Sequence, residues 1–125
     1  MMEFFRCKHC GNLVMMLHKS GAPLFCCGQE MELLMPNTTD GAQEKHVPAV
    51  VRENNTVHIT IGSVPHPMIE THYIQWIALE TTYGVQIKYL QPNEDAVANF
   101  VLASDEQPLK VYEYCNLHGL WADSL

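Results

Sequence analysis

Apolar and polar residues alternate with a period near two over most of the chain beyond residue 46. In TVHITIGSV, at positions 56–64, Val57, Ile59 and Ile61 point to one side and polar residues lie between them. Further β-rich runs are VPAVV, HYIQWIALE, YGVQIKYL, ANFVLAS and LKVYEY, separated by short polar turns. No segment keeps a helical spacing. About six short strands at such intervals predict an antiparallel β-sandwich of roughly 80 residues.

The first 34 residues differ from the rest, because they hold four of the five cysteines and two turn signals, GN and SGAP. A segment of this length is too short for a self-sufficient hydrophobic core, and chains below about 40 residues usually need a covalent or metal staple. Residues 35–41, MPNTTDG, are polar and rich in helix and strand breakers, which indicates a linker. We therefore predict two domains, residues 1–36 and 37–125.

The charge of the chain limits its partners. Fourteen acidic and seven basic side chains give a formal charge of −7, which argues against nucleic acid, because phosphate binding needs clustered Lys and Arg. An anionic substrate would be repelled unless a cation near the site overrode the mean field. No apolar run approaches the roughly 20 residues that cross a bilayer, and the N-terminus lacks a signal-like core, so we expect no membrane partner and a cytoplasmic location.

Four cysteines at the front, Cys7, Cys10, Cys26 and Cys27, form a soft ligand set within 21 residues. A reducing compartment disfavours a disulfide framework, and four thiolates suit tetrahedral zinc or a single iron ion. Structural zinc is the more common use of such a set. The adjacency of Cys26 and Cys27 weakens that interpretation, because zinc sites usually pair Cys-x-x-Cys knuckles. Spacing alone leaves the choice of metal open.

The fifth cysteine, Cys115, lies in EYCNLHGLW with a histidine three positions on. Three other histidines, in EKHVP, PHPM and THYIQW, stand at a strand start, a proline-bounded turn and a loop. Loops of a sandwich can bring such side chains together. Any one of these histidines is more often a packed or solvated residue than a ligand. Together, four imidazoles and one thiolate suit a redox metal.

These motifs jointly resemble desulfoferrodoxin, the two-iron form of superoxide reductase found in anaerobic and microaerophilic microbes. The residues that carry the resemblance are CKHCGN, FCCGQEMELL, EKHVP, PHPM, HYIQWI and EYCNLHGLW, and they span nearly the whole chain. The resemblance implies an all-β protein in which a small desulforedoxin-like metal module precedes an immunoglobulin-like antiparallel β-sandwich.

The resemblance also implies the ligands of two iron ions. The front iron would be bound by Cys7, Cys10, Cys26 and Cys27. The second, catalytic iron would be bound by four equatorial imidazoles and an axial thiolate, from His46, His66, His72, His118 and Cys115. Five protein ligands leave one position open on a six-coordinate metal, as a catalytic site requires. One-electron reduction of superoxide to hydrogen peroxide would take place there.

Two charged residues directly before His46 are expected at the mouth of this site. By resemblance, Lys45 attracts the superoxide anion and helps to protonate it, and Glu44 ligates the resting ferric iron. Lys45 would then overcome the repulsion of the acidic molecule. The family further implies a homodimer, a rubredoxin-like electron donor and a role in protection from oxidative stress.

Two other functions stay open on the residues alone. The chain could be a non-catalytic electron carrier built on the front iron, with structural histidines at the back. It could also be a zinc-stabilised β-sandwich that binds another protein. Metal content distinguishes them, because two irons indicate the reductase, one iron the carrier and zinc alone the binding module.

Overall fold

The computed structural model describes residues 2–39, 41 and 43–125, with the side chain of Glu44 outside the described part. The chain divides into two compact units, Met1–Met35 and Pro36–Leu125. Strands build both units, and the four-residue helix α1, Gln43–His46, is the one helix among the described residues. The predicted all-β class is therefore confirmed.

The first unit is a small set of antiparallel strands. A three-stranded sheet has the order β2-β1-β5, and β3 pairs with β4 in a hairpin. The bounds are β1 Glu3–Arg6, β2 Leu13–Met16, β3 Phe25–Cys26, β4 Gln29–Glu30 and β5 Glu32–Leu33. Its buried apolar residues are Phe4, Cys7 and Met31. So small a core agrees with a unit that depends on a metal for stability.

The second unit is a sandwich of two antiparallel sheets, ordered β10-β7-β6 and β12-β11-β8-β9. The bounds are β6 Pro48–Glu53, β7 Thr56–Ile61, β8 Ile74–Thr81, β9 Gly84–Tyr89, β10 Val97–Val101, β11 Pro108–Cys115 and β12 Gly119–Ser124. A three-stranded and a four-stranded sheet are the arrangement of a constant-type immunoglobulin domain. The metal module followed by an immunoglobulin-like sandwich is thus confirmed.

In β7 the buried residues alternate as predicted, whereas in β8 residues on both faces are buried. In β7, Val57, Ile59 and Ile61 are all buried in the core between the sheets. In β8 both faces are buried, because Ile77 faces the core while Trp76, on the other face, stacks on an aromatic ring of β11 at 5.8 Å. Simple alternation missed this aromatic cover on the outer face.

Strand β12 was absent from the sequence prediction. Its sequence, GLWADS, begins with glycine and ends in polar residues, so it lacks the pattern of a half-buried strand. It forms because β11 supplies a complete antiparallel partner, in register from Lys110 opposite Ser124 to Cys115 opposite Gly119. Tertiary pairing therefore overrides a weak local signal.

The strand registers bring several loops to one end of the sandwich. β6 begins at Pro48 opposite Ile61, the last residue of β7. β8 begins at Ile74 opposite Cys115, which also pairs with Gly119. The helix α1 before β6, the β7–β8 connection and the β11–β12 turn consequently meet there. They are the segments that carry the four histidines and the lone cysteine of the predicted second site.

The segment expected to be a linker is tied to β12. The Asn37 side chain forms two hydrogen bonds with the backbone of Ala122. Asn37 Nδ2 donates to the Ala122 carbonyl at 3.1 Å, and Asn37 Oδ1 accepts from the Ala122 N–H at 3.0 Å. The Thr39 hydroxyl donates to the His118 carbonyl. Residues 37–39 are therefore part of the second unit by their hydrogen bonds.

The described helical residues hold no candidate membrane span, since α1 has only four residues.

Candidate metal centres

The structure brings all four front cysteines together. One ligand atom from each of Cys7, Cys10, Cys26 and Cys27 lies within 4.8 Å of the others. The sulfur atoms of Cys10 and Cys26 are 3.6 Å apart, and those of Cys26 and Cys27 are 3.9 Å apart. Cys7 is buried, whereas Cys10 and Cys27 are exposed. The front centre therefore has one edge open to solvent.

The first two thiols are placed by a tight turn after β1. The N–H of Cys10 donates to the Cys7 sulfur at 3.4 Å, and the N–H of Asn12 donates to the Cys10 sulfur at 3.4 Å. The N–H of Gly11 donates to the Cys7 carbonyl at 2.9 Å, and Gly11 has a φ of +83°. Donors aimed at sulfur favour thiolates, so the turn is built for a thiolate pair.

The adjacent cysteines are accommodated by the β3–β4 hairpin. Cys26 ends β3 and pairs with Gln29, which leaves Cys27 and Gly28 as a two-residue loop. Both loop residues have positive φ, 53° and 74°, as a type I′ turn requires. The left-handed backbone at Cys27, disfavoured for a residue with a Cβ, lets two neighbouring side chains face one centre.

The pKa values of the front thiols shift in opposite directions: that of Cys7 is lowered, and those of Cys26 and Cys27 are raised. The Cys10 backbone N–H, as the largest cause, lowers the pKa of Cys7 to about 6. Hydrogen bonding with the Cys10 side chain is the largest cause that raises the pKa of Cys26. It is also the largest cause that raises the pKa of Cys27, to about 12. Crowded sulfurs resist ionising together, and a bound metal cation removes that resistance. The donor set thus fits a metal.

At the second site, the four histidines form a closed ring. In the order His46, His66, His72, His118 and back to His46, neighbouring ring centroids lie 4.6, 4.8, 4.9 and 5.1 Å apart. Each neighbouring pair meets edge to face, at interplanar angles of 63° to 90°. Four imidazoles so placed surround one shared centre.

Cys115 joins this ring from the end of β11. Its sulfur and one nitrogen each from His46, His66 and His118 all lie within 4.8 Å of one another. Cys115 is fully buried, on the same face of β11 as Val111. The pairing of β11 with β8 shifts between Tyr114 and Cys115, an irregularity of the kind that re-aims side chains beside functional sites.

Unpaired nitrogens provide the test of whether these residues fit a metal. Nε2 of His66 and Nε2 of His72 are buried and have no hydrogen-bond partner among the described residues. Nδ1 of His66 lies 2.6 Å from the Pro67 carbonyl, which can only accept. The Nδ1 atom therefore carries the hydrogen, and Nε2 keeps a lone pair. Buried lone pairs without partners are costly unless a cation takes them up.

His46 is held on two sides. Its Nδ1 lies 3.3 Å from a carboxylate oxygen of Glu113, and its ring stacks on Trp121 at 4.6 Å with an interplanar angle of 5°. The indole N–H of Trp121 donates to the His118 carbonyl at 3.0 Å. Nε2 of His46 lies 3.1 Å from Nδ1 of His118. Trp121 therefore packs against one ring and steadies the turn that carries another.

Glu113 was missed by the sequence analysis, although its motif was singled out. It alternates with Val111 and Cys115 on the inward face of β11 and is fully buried. A charged residue at an inward position of a strand was the available signal. Burial raises the pKa of the Glu113 carboxyl to about 9 and is also the largest cause that raises the pKa of the Cys115 thiol. Two buried acidic groups beside the site suit a divalent cation, because in their ionised forms they would offset its charge.

Lowered pKa values favour the neutral form of the four histidines of the second site. Burial, as the largest cause, lowers the pKa of His46 and of His66 to about 4. The pKa values of His72 and His118 are lowered as well, again mainly by burial. Neutral imidazoles are the form that binds metals, so these rings can coordinate without losing a proton, whereas the Cys115 thiol must first lose its own.

Lys45 acts on the site through its charge. After burial, the positive charge of Lys45 is a further cause that lowers the pKa of His46, His72 and His118. The ammonium group therefore lies near enough to these rings to be felt electrostatically. The side chain of Glu44 lies outside the described residues, so its predicted role as a ligand stays a prediction.

Gly62 packs against the backbone that carries His46. Its φ is +84°, and its N–H donates to the Val47 carbonyl at 2.8 Å. A Cβ at this position would lie 2.5 Å from the Val64 carbonyl oxygen and 2.7 Å from that of Lys45. Both the backbone conformation and the close approach require glycine here.

The structure thus brings together the predicted cysteines of the front site and, at the second site, the ligand atoms of His46, His66, His118 and Cys115. The His72 ring lies beside those of His66 and His118, although its nitrogens stand outside that group of ligand atoms. Their role as ligands stays a prediction. Tyr114 stacks on Trp76 on the outer face of β11, away from the histidine ring.

Comparison with known proteins agrees with this arrangement. The desulfoferrodoxin N-terminal domain matches residues 1–34, and the main desulfoferrodoxin domain matches residues 38–124. A protein named desulfoferrodoxin from Syntrophotalea carbinolica is 46% identical over 121 residues, covering 97% of this chain and 94% of its own length.

Solved structures show the same fold. The superoxide reductase from Treponema pallidum has a TM-score of 0.83 at 35% identity, with 99% of each chain covered. A one-iron superoxide reductase from Giardia intestinalis has a TM-score of 0.57 at 34% identity, covering 66% of this chain and 97% of its own. With both parts matched and both candidate ligand groups for iron present, the chain belongs to the desulfoferrodoxin family.

Proposed function

We propose that the chain is a superoxide reductase that works at the second site. The observation that carries this proposal is the closed ring of four neutral imidazoles beside a buried thiol, in which two buried nitrogens have no hydrogen-bond partner in the part of the chain that the structure describes. The proposed ligands of the catalytic iron are His46, His66, His72, His118 and Cys115, and those of the front iron are Cys7, Cys10, Cys26 and Cys27.

Iron bound at this site would supply one electron to superoxide, and uptake of two protons would give hydrogen peroxide without dioxygen. The chain's own task is to hold the metal, to bring in the anion and to deliver protons. In their ionised forms, the two buried acidic side chains, Cys115 and Glu113, would offset the charge of a ferrous ion. The sandwich core around Cys115 keeps water from the sulfur.

Lys45 supplies the local cation that an acidic molecule needs to attract an anion. Residues 36–125 have four basic and eleven acidic side chains, so their mean field repels superoxide. Lys45 acts on three rings of the site. We assign it to steering the anion and to protonating it, and Glu44, which precedes it, to ligating the oxidised iron.

Backbone donors at the β11–β12 turn control the thiolate. Hydrogen bonds from the His118 and Leu117 backbone oppose the rise that burial causes in the pKa of Cys115. Such donors withdraw electron density from sulfur and so set how strongly it donates to the metal. The turn therefore tunes the same thiolate that it positions.

We assign residues 1–36 to the four-cysteine iron module and residues 37–125 to the reductase domain. The exposed edge at Cys10 and Cys27 suits exchange of electrons with a carrier. By the family resemblance, the donor is rubredoxin-like and the protein is a homodimer. Five cysteines without a disulfide suit the reducing cytoplasm, where the protein would protect the cell from superoxide.

The yield of products tests the reaction directly. The iron-loaded protein, reduced and exposed to a known amount of superoxide, should give one hydrogen peroxide for each superoxide consumed, with no dioxygen. A dismutase would give half that peroxide and release dioxygen. Dioxygen release, or no consumption of superoxide by protein that holds two irons, would refute the proposal.

A further inference from the structure

We infer that Asn116 is a positioning residue of the second site, which fastens the loop of His72 to the turn that carries Cys115 and His118. This inference rests on the proposed function only in taking those three residues as metal ligands. It concerns an amide between two ligands that the reaction itself does not use.

Asn116 forms three hydrogen bonds with the chain on both sides of His72. Its Oδ1 accepts from the Tyr73 N–H at 2.9 Å, and its Nδ2 donates to the Thr71 carbonyl at 3.0 Å. Its own N–H donates to the Tyr73 carbonyl at 3.3 Å. The backbone on either side of His72 cannot move away from the turn without breaking one of these bonds.

His72 depends on this bracket because its ring has weaker support of its own. The ring of His46 is held by a carboxylate and an indole, and that of His66 by a backbone carbonyl. The hydrogen bonds of His72 are with the backbone of Ile69, in both directions at 3.0 Å. Its buried Nε2 has no partner among the described residues. The direction of this ring is therefore set through its backbone.

The bracket makes one unit of three proposed ligands. Asn116 directly follows Cys115 and stands two positions before His118. Its side chain therefore fixes the position of His72 relative to both residues. Outer groups of this kind fix the direction of a ligand and so the affinity for the metal. Asn116 acts through His72 and touches neither metal nor substrate in this account.

The same chain offers a matched control at Asn37. Its side chain also donates to one backbone carbonyl and accepts one backbone N–H, at 3.1 and 3.0 Å, but both belong to Ala122. Ala122 is not beside a proposed ligand. Truncation at either position removes one donor and one acceptor contact, and a purely structural role would give the two variants the same outcome.

The experiment compares Asn116→Ala with Asn37→Ala in the full-length, iron-loaded protein. We expect Asn116→Ala to hold the second-site iron roughly 10- to 100-fold more weakly in competition with a chelator, the usual loss when an outer partner of a ligand is removed. Its thiolate-to-iron absorption band should shift, while the front-site absorption stays unchanged. Asn37→Ala should lose thermal stability but keep the band and the iron.

A second variant separates the two contacts and covers a failure to fold. Asn116→Asp keeps the oxygen that accepts from the Tyr73 N–H and loses the donation to the Thr71 carbonyl. We expect it to fold and to lie between wild type and Asn116→Ala in iron retention. If Asn116→Ala does not fold, Asn116→Asp decides. Iron retention equal to that of wild type, with an unshifted absorption band, would then overturn the inference.

Equal iron retention in Asn116→Ala and Asn37→Ala would likewise overturn it. Chelator competition and the absorption band need no superoxide. A wild-type protein that binds iron but does not reduce superoxide would refute the proposed function and leave the role of Asn116 standing.

Discussion

The two candidate metal centres are built in opposite ways. The front centre takes four thiols from residues 7–27, places them by two tight turns and leaves two of them exposed. The second centre takes its groups from positions between residues 46 and 118, and strand pairing over the whole sandwich brings them together. The front centre is thus made by local turns, and the second by the fold.

This difference shows where the stability of each unit lies. Among its described residues, 2–35, the front unit has three buried apolar residues, whereas the sandwich has a continuous core drawn from both sheets. Binding of a structural metal contributes roughly 10–16 kcal/mol in small zinc modules, as much as the whole stability of many domains. The metal should therefore decide whether the front unit folds, while the sandwich should fold without one.

The units also differ in charge. Residues 1–35 have three basic and three acidic side chains, and residues 36–125 have four basic and eleven acidic ones. The formal charge of −7 therefore lies entirely in the second unit. The unit proposed to attract an anion is the one that repels it on average, which gives the position of Lys45 its importance.

The largest expected effect is the loss of the front unit in Cys27→Ser. Removing one thiol takes away the metal that replaces a core, so residues 1–35 should unfold while the sandwich stays intact. Limited proteolysis and near-ultraviolet circular dichroism measure this. Cys115→Ser is the matched control and should leave the front unit folded. A front unit of Cys27→Ser that resists proteolysis as wild type does would contradict this picture.

The next effect is on the rate with superoxide in Lys45→Ala. Loss of the cation near the rings should lower the second-order rate about tenfold at low ionic strength and flatten its dependence on salt. Pulse radiolysis over a range of ionic strength measures both.

Lys88→Ala is the control for Lys45→Ala, because it removes the same charge from a lysine whose ammonium donates to the Val97 carbonyl at 3.2 Å. It should keep the steep salt dependence. An equal response of the two variants would show that only the net charge matters.

A smaller effect is expected in Glu113→Gln. With a metal cation bound nearby, the Glu113 carboxyl would be ionised although burial raises its pKa. The amide keeps an acceptor for Nδ1 of His46 but cannot carry this negative charge, and loss of the charge favours the ferrous state. The reduction potential of the second iron should rise by roughly 59 mV, a tenfold change for one electron. The potential of the front iron should not move, which makes it an internal control. A fall in the second potential would contradict the assigned role of Glu113.

Much of this fold was predictable from the sequence, and the misses have physical causes. The alternation in β7 identified Val57, Ile59 and Ile61 correctly as core residues. β12 was missed because its pairing with β11, rather than its own pattern, makes it a strand. The outer face of β8 was missed because its cover comes from Tyr114 on β11, a strand that is far away in the sequence but pairs with β8 in the sheet.

The candidate site was predictable as a set of residues but not as an arrangement. The motifs pointed to the histidines and Cys115, yet their closure into a ring depends on strand registers that no local spacing reveals. Glu113 and Asn116 stand inside the motif EYCNLHGLW and were passed over, because their importance lies in contacts with His46 and with the loop around residue 72.

Anaerobic metal analysis with visible spectra of the wild type and Cys115→Ser is the most direct test of the second centre. We predict two irons per wild-type chain and a thiolate-to-iron band that disappears in Cys115→Ser, while the absorption of the front centre remains. An unchanged band in Cys115→Ser, or zinc alone in the wild type, would contradict the proposal that one thiol and four imidazoles share an iron ion.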